Sequence, residues 1–178
     1  MGRTYSDHGI LIKTQDYKDG DKIITMITRD HGLITAIAIG ARRSGSRKSP
    51  HLDLMSHSQI QIRGIDTLFI SEAVSLTEFS TLKKDFKKIT TVMSIFEVIT
   101  QLVPDSVEDK QLYLSTLNYL IDANSQKKHQ DFMNNTIKFS KYLIRHLGYS
   151  ETRLNSSPSI SSYFEHLMNR RLISKEIV

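Results

Sequence analysis

The texture of this chain changes once, near residue 78, and that change constrains its fold more than any other feature. Before it, short runs rich in Ile, Thr, Val and Phe are interrupted at close intervals by Gly, Asp and Ser, which is the chemistry of strands and turns. The spacing predicts strands at 8–14, 22–29, 33–39, 58–63 and 67–75. Asp30-His31-Gly32 and Gly64-Ile65-Asp66 are short enough to make hairpins, so the strands on either side of each should pair antiparallel. The stretch 40–57, with Gly40, Gly45, Pro50 and a succession of serines and basic residues, reads as one long loop between the third and fourth strands. Five strands with a single long central connection suit a small closed barrel of the OB type.

After residue 78 the apolar residues fall three or four apart. Leu82, Phe86, Ile89, Val92, Met93, Phe96, Ile99 and Val103 predict a helix over 80–102, which Pro104 stops. A second series, Leu112, Leu114, Leu117, Leu120 and Ile121, follows the acids Glu108 and Asp109 and runs out near Ala123. The polar stretch 124–130 reads as a linker. Phe132, Ile137, Tyr142, Leu143 and Leu147 then mark a third helix ending at Gly148. The segment SETRLNSSPS is another loop, and a last short helix starts near 159. The expected fold class is therefore α+β, with an amino-terminal five-stranded OB-type β-barrel over 1–79 and an all-α helical domain over 80–178. A chain of 178 residues accommodates two domains of that size.

The net charge of +5 and pI near 9.4 favour polyanionic partners. Within the first fifty residues the basic excess is concentrated at 42–48, where no acid interrupts. There is no cysteine, which removes disulfides and thiolate metal sites. No cofactor is expected. No run approaches the roughly 18 apolar residues that span a bilayer, and the amino terminus lacks the apolar stretch of a signal peptide. No membrane association and a cytoplasmic location follow as expectations.

The loop GARRSGSRK at 40–48 offers Arg42, Arg43, Arg47 and Lys48 on a backbone loosened by Gly40 and Gly45, so several cations can meet successive phosphates. Charge by itself describes solvated surface equally well; the position of the loop on a barrel that commonly carries single strands favours function. Lys13, Lys18, Lys22 and Arg29 extend the basic character along the first two strands, but Asp16, Asp19, Asp21 and Asp30 alternate with them and suggest salt-bridged surface. Aromatic platforms for bases are few in the barrel, namely Tyr5, Tyr17 and Phe69. Lys83, Lys84, Lys87 and Lys88 fall opposite the apolar stripe of their helix, as a solvated face does, and Arg170, Arg171 and Lys175 suit a helix carboxyl end. His51, Asp53 and His57 are the only start for a metal-dependent hydrolase, and three such residues in a loop do not make a catalytic site. No nucleophile, phosphate-loop or zinc motif occurs, so the chain reads as a binding protein with no catalytic residue.

GILIKTQDY at 9–17, KIITMITRDHGLITAIAIGARRSGSR at 22–47 and TLFISEAV at 67–74 resemble the RecO family of bacterial recombination and repair mediators. YLIRHLGY at 142–149 and YFEHLMNRRLIS at 163–174 are similar to the family's later helices, so the resemblance covers most of the chain. It implies binding of single- and double-stranded DNA, annealing of complementary strands, and RecA loading with RecR on DNA coated by single-stranded-DNA-binding protein, whose C-terminal tail the helical domain receives. Carried onto this sequence, the DNA contacts fall on Arg42, Arg43, Arg47 and Lys48, and secondarily on Lys13 and Arg29. Family members commonly carry a four-cysteine zinc module where this chain has only about ten residues, SETRLNSSPS, which implies a shortened member without zinc. Two other functions fit parts of the same pattern: an OB-type protein-interaction module without strong DNA binding, and the metal-dependent hydrolase.

Overall fold

The computed structural model describes residues 3–150 and 157–173. Five strands, β1 (Arg3–Tyr17), β2 (Asp21–Thr28), β3 (Gly32–Ala38), β4 (His57–Gly64) and β5 (Leu68–Thr77), form a closed barrel in the order β1-β2-β3-β5-β4, with β4 paired back to β1. Both predicted hairpins are present and antiparallel, β2 with β3 and β4 with β5. Alternation places one side of each strand inside. Ile34, Ala36 and Ala38 of β3 and Ile60 and Ile62 of β4 point into the core, packed with Leu11, Ile24, Met26 and Ile70. Gln59 and Arg63 are exposed at the alternate positions of β4.

The closing seam, β3 with β5, is the weak one. It is parallel and holds two registered pairs, Ala36 with Leu68 and Ile37 with Phe69, against seven for the β2–β3 hairpin. The connection 40–57 reinforces it. Ala41 and Leu52 from that loop sit in the barrel core, and a short 3-10 turn, Ser49–His51, runs beside β5. The sequence predicts a loop here, and the structure makes it part of the barrel wall.

The chain divides into two compact units, Met1–Glu78 with Pro104–Tyr113, and Phe79–Val103 with Leu114–Val178. Pro104–Tyr113, which the sequence pattern groups with the helices, thus returns to the barrel. Ser106 N–H donates to the Leu33 carbonyl at 2.8 Å, and Gly32, at φ +69°, has no room for a side chain because a Cβ there would overlap the Val107 carbonyl. Tyr113 ends this segment with its hydroxyl 2.7 Å from His57 Nε2.

The helical unit contains α1 (Phe86–Leu102), most of α2 (Lys110–Ser125), α3 (His129–His146) and α4 (Ser157–Met168). The helix expected over 80–102 starts only at Phe86, because Asp85 is extended and caps it, accepting from Lys87 N–H at 3.0 Å and Lys88 N–H at 3.2 Å. Phe86, expected in the apolar stripe, is therefore at the helix entry and 80% exposed. In α2 the buried set is Leu112, Tyr113, Thr116, Tyr119, Leu120 and Ala123, so Leu114 and Ile121 of the expected stripe face outward. Tyr119 and Phe139 stack at 4.6 Å between α2 and α3. Gly148 follows α3 at φ +82°, as a left-handed helix stop does. The loop residues 151–156 lie outside the described residues.

Lys88 corrects the reading of the helical cations. It is buried, not solvated: its ammonium donates to the Ala123 carbonyl at 2.9 Å and the Gln126 carbonyl at 2.6 Å, and lies 5.4 Å from the Phe132 ring centre. It thereby satisfies carbonyls at the end of α2 that have no helical partner. Arg170 likewise pairs with Glu97 of α1 at 2.9 Å, while Lys175 lies outside the described residues. Lys88→Met should lower stability by about 1–3 kcal/mol, since the carbonyls lose their donor, whereas the exposed Lys87→Ala should stay within about 0.5 kcal/mol. Urea unfolding of both variants checks the contrast.

Candidate nucleic-acid interface

The loop 40–48 is held at both ends by groups that sequence spacing does not connect. Gly40, at φ +68°, turns the chain and donates its N–H to Asp21 Oδ1 at 2.8 Å. Arg42 N–H bonds to the Gly20 carbonyl at 2.9 Å, and its guanidinium reaches Asp16 Oδ2 at 3.3 Å. Arg43 is exposed and lies over Gly20, which has only hydrogen to offer beneath it. At the far end His51 Nδ1 accepts the Ser75 N–H at 3.3 Å and sits 3.0 Å from the Ser75 hydroxyl, fixing the loop to β5.

The four cations predicted in this loop therefore do different things. Arg43 and Arg47 are exposed, with no side-chain ion pair among the described residues. Arg42 is partly neutralised by Asp16. Lys48 turns inward, donating from Nζ to the Ile70 carbonyl at 3.0 Å, just past the last registered pair of the β3–β5 seam. Its pKa is pushed down, first by burial and then by the Arg63 guanidinium, with Asp21 opposing. Lys48 is thus a barrel pin in this conformation.

Arg63, a cation that the sequence reading passes over, stands exposed on β4 with its guanidinium 5.9 Å from the centre of the Phe69 ring. The signal was available: in QIQIRG the alternation that buries Ile60 and Ile62 must turn Gln59, Gln61 and Arg63 outward. Of the expected three aromatics, Phe69 lies beside Ile70, whose carbonyl takes Lys48, and Tyr17 lies between Asp16 and Lys18, both of which Arg42 contacts. Tyr17 carries the Lys18 ammonium at 5.0 Å, and Tyr5 stacks on His31 at 4.0 Å.

Lys13 is exposed in the middle of β1, opposite Thr25. Arg29 is not brought to the loop. It sits at the β2–β3 turn beside Asp30, at the opposite end of the hairpin and roughly 20 Å along the strand from Lys22. The residues considered for a metal also separate: His51 goes to Ser75, Asp53 Oδ1 accepts the Leu54 N–H at 3.0 Å, and His57 goes to Tyr113. No group of three or more His, Cys, Asp or Glu is placed to hold a metal ion among the described residues. Within the same residues no helix is long and apolar enough to cross a membrane.

Residues 1–79, the whole barrel sequence, match the family described as "Recombination protein O N terminal". The amino-terminal barrel is of the RecO family. Among curated relatives, "DNA repair protein RecO" of Symbiobacterium thermophilum is 31% identical over 119 residues, covering 65% of this chain and 46% of that protein. The proteins of the same description from Clostridium perfringens and from Nocardioides are 30% and 33% identical, covering 79% and 58% of this chain and 57% and 43% of theirs. The chain thus spans about half the length of these RecO relatives. The matched residues take in all five strands and the connection 40–57 that follows β3.

His57 supplies a pH dependence. Burial, and then the nearby His8, push its pKa below the ordinary value of 6.5. The unfolded chain then binds the proton more tightly, so the barrel should keep its full stability above about pH 6.5 and lose part of it as pH falls toward the folded value. Removing this group with His57→Gln should make the fall in urea midpoint between pH 7.5 and pH 5 shallower than in the parent chain.

Proposed function

We propose that this chain is a DNA-binding mediator of recombinational repair, which holds strands and makes or breaks no bond. The observation that carries this reading is the loop 40–48 anchored on the barrel with Arg43 and Arg47 exposed, and with Arg63, over Phe69, near enough to Lys48 of the same loop to lower its pKa. Exposed cations meet phosphates whatever the base sequence, and Phe69 offers one face for a base. The site residues are Arg42, Arg43, Arg47 and Arg63, with Lys13 at the margin and Lys48 holding the loop in place. Arg29 has a lesser claim because it lies at the other end of the hairpin.

The name carried by the relatives, a DNA repair protein, supports the same direction. In this reading the barrel, 1–79, binds single- and double-stranded DNA and screens the charge of two strands so that they can anneal. The region 80–178 is the platform for protein partners: RecR, and the C-terminal tail of single-stranded-DNA-binding protein, during RecA loading in the cytoplasm.

Binding to a dT oligonucleotide followed across salt concentrations tests this. Four phosphate contacts give a log-log slope of about −3, and Arg43→Ala with Arg47→Ala should make it shallower by about 1.4. Lys48→Met should leave the slope nearly unchanged and instead cost the barrel about 1 kcal/mol in urea unfolding, because the Ile70 carbonyl loses its donor. A slope near zero, or one the two arginines do not affect, places the DNA elsewhere or nowhere on this chain.

A further inference from the structure

At the end of the β2–β3 hairpin away from the basic loop, the two hairpin turns and residues 106–108 enclose a cavity of about 510 Å³. Tyr5, Ile65 and Leu68 supply apolar wall, and His31, Asp30 and Glu108 line the rest. Asp7 sets its polarity. The Asp7 side chain is fully buried and accepts from His8 N–H at 2.7 Å, Asp30 N–H at 3.2 Å and His31 Nδ1 at 2.6 Å. An ionised carboxylate only accepts, so His31 donates from Nδ1, and in the neutral ring its Nε2 keeps a lone pair. Tyr5, stacked on the ring at 4.0 Å, holds its plane.

The ionisable lining thus presents acceptors and negative charge against an aromatic and aliphatic wall. Phosphate is repelled by such a site. A flat cation with several N–H donors complements it, and a guanidinium does so in three ways. Its face stacks on the Tyr5–His31 wall, its fork meets Asp30 and Glu108, and its methylene stem covers Leu68 and the exposed Ile65. Lys110 already spans Asp30 at 3.3 Å and Glu108 at 3.1 Å, and Arg29 approaches Asp30 at 4.0 Å, but these side chains are 44–59% exposed, and ion pairs that wet exchange readily for a donor of better geometry.

We propose that this barrel-end cavity receives an arginine side chain presented by a basic segment of a partner protein. The competing occupant, an unstacked nucleobase, also brings N–H donors, but the phosphates on either side of it would have to approach the rim carboxylates. The two sites share no residue: the DNA reading uses the loop 40–48 with Arg63 and Phe69, this one the turn residues just beyond them, Gly64, Ile65 and Leu68, and the oligonucleotide arm of the test tells them apart.

The test is a titration of the isotopically labelled full chain with the peptide Ac-Gly-Arg-Gly-NH2, its citrulline counterpart, and a dT oligonucleotide. The signals followed are the Tyr5 and His31 rings and the Ile65 methyl groups. The arginine peptide should shift all three saturably, and the uncharged citrulline peptide should bind at least about tenfold more weakly. The double variant Asp30→Asn, Glu108→Gln, whose substituted side chains are exposed, should weaken the arginine peptide by a similar factor and leave oligonucleotide binding as it was. The proposal is overturned if the arginine peptide produces no shift, if citrulline binds equally well, if the double variant binds the arginine peptide unchanged, or if the oligonucleotide shifts these signals in place of the peptide.

Discussion

A barrel must close, and here the strand that closes it has little backbone with which to do so. The parallel seam between β3 and β5 holds two registered pairs, so beyond Ile37 and Phe69 the hydrogen-bonding groups of β5 need other partners. The connection 40–57 supplies them: Lys48 takes the Ile70 carbonyl, His51 takes the Ser75 N–H, and Ala41 and Leu52 fill the core behind. The loop that carries the basic residues is consequently fixed in position by the need to complete the fold. Cations on such a loop are already ordered, so little freedom remains for them to lose in any contact.

The same economy distributes charge. Asp16 and Asp21 face the loop and hold its first turn, which leaves the outermost arginines with uncompensated charge. Asp7, Asp30 and Glu108 gather at the turn end of the hairpin, where Asp7 is buried among three donors and orients His31. One hairpin thus carries the basic loop at one end and, at the other, three carboxylates met by Arg29, Lys110 and His31, within a chain of net charge +5. The formal charge says only that anions are favoured, and not where the charges lie.

Strand and helix types were legible because their signals are local. Period two in ITAIA and QIQIR, and breakers at Gly32 and Gly64, place β3, β4 and both hairpins. Errors arose where a tertiary partner outweighed local character. Lys88 looks solvated by its position on α1 and is buried because the carbonyls closing α2 need a donor. Leu114 and Ile121 look like core and are exposed because Tyr113, Thr116 and Tyr119 face inward instead. Of the candidate interface, the run at 42–48 was visible as uninterrupted positive charge. Arg63 was not, since a single cation in a strand stands out only once its register beside Phe69 is known.

The sequence by itself determined the two textures of the chain, the pairing of its hairpins, the absence of any cysteine chemistry and the place of the basic loop after the third strand. All of these follow from residues within a few positions of one another. Tertiary structure alone decided which cations remain available: Lys48 is drawn in to pin β5, Arg42 is shared with Asp16, Arg29 is carried to the far end of the hairpin, and Arg63 is brought in from β4. Each of those outcomes depends on a backbone carbonyl, a carboxylate or a ring contributed from a distant part of the chain, and the energy of a charge is set by such neighbours and by burial, which local sequence does not encode.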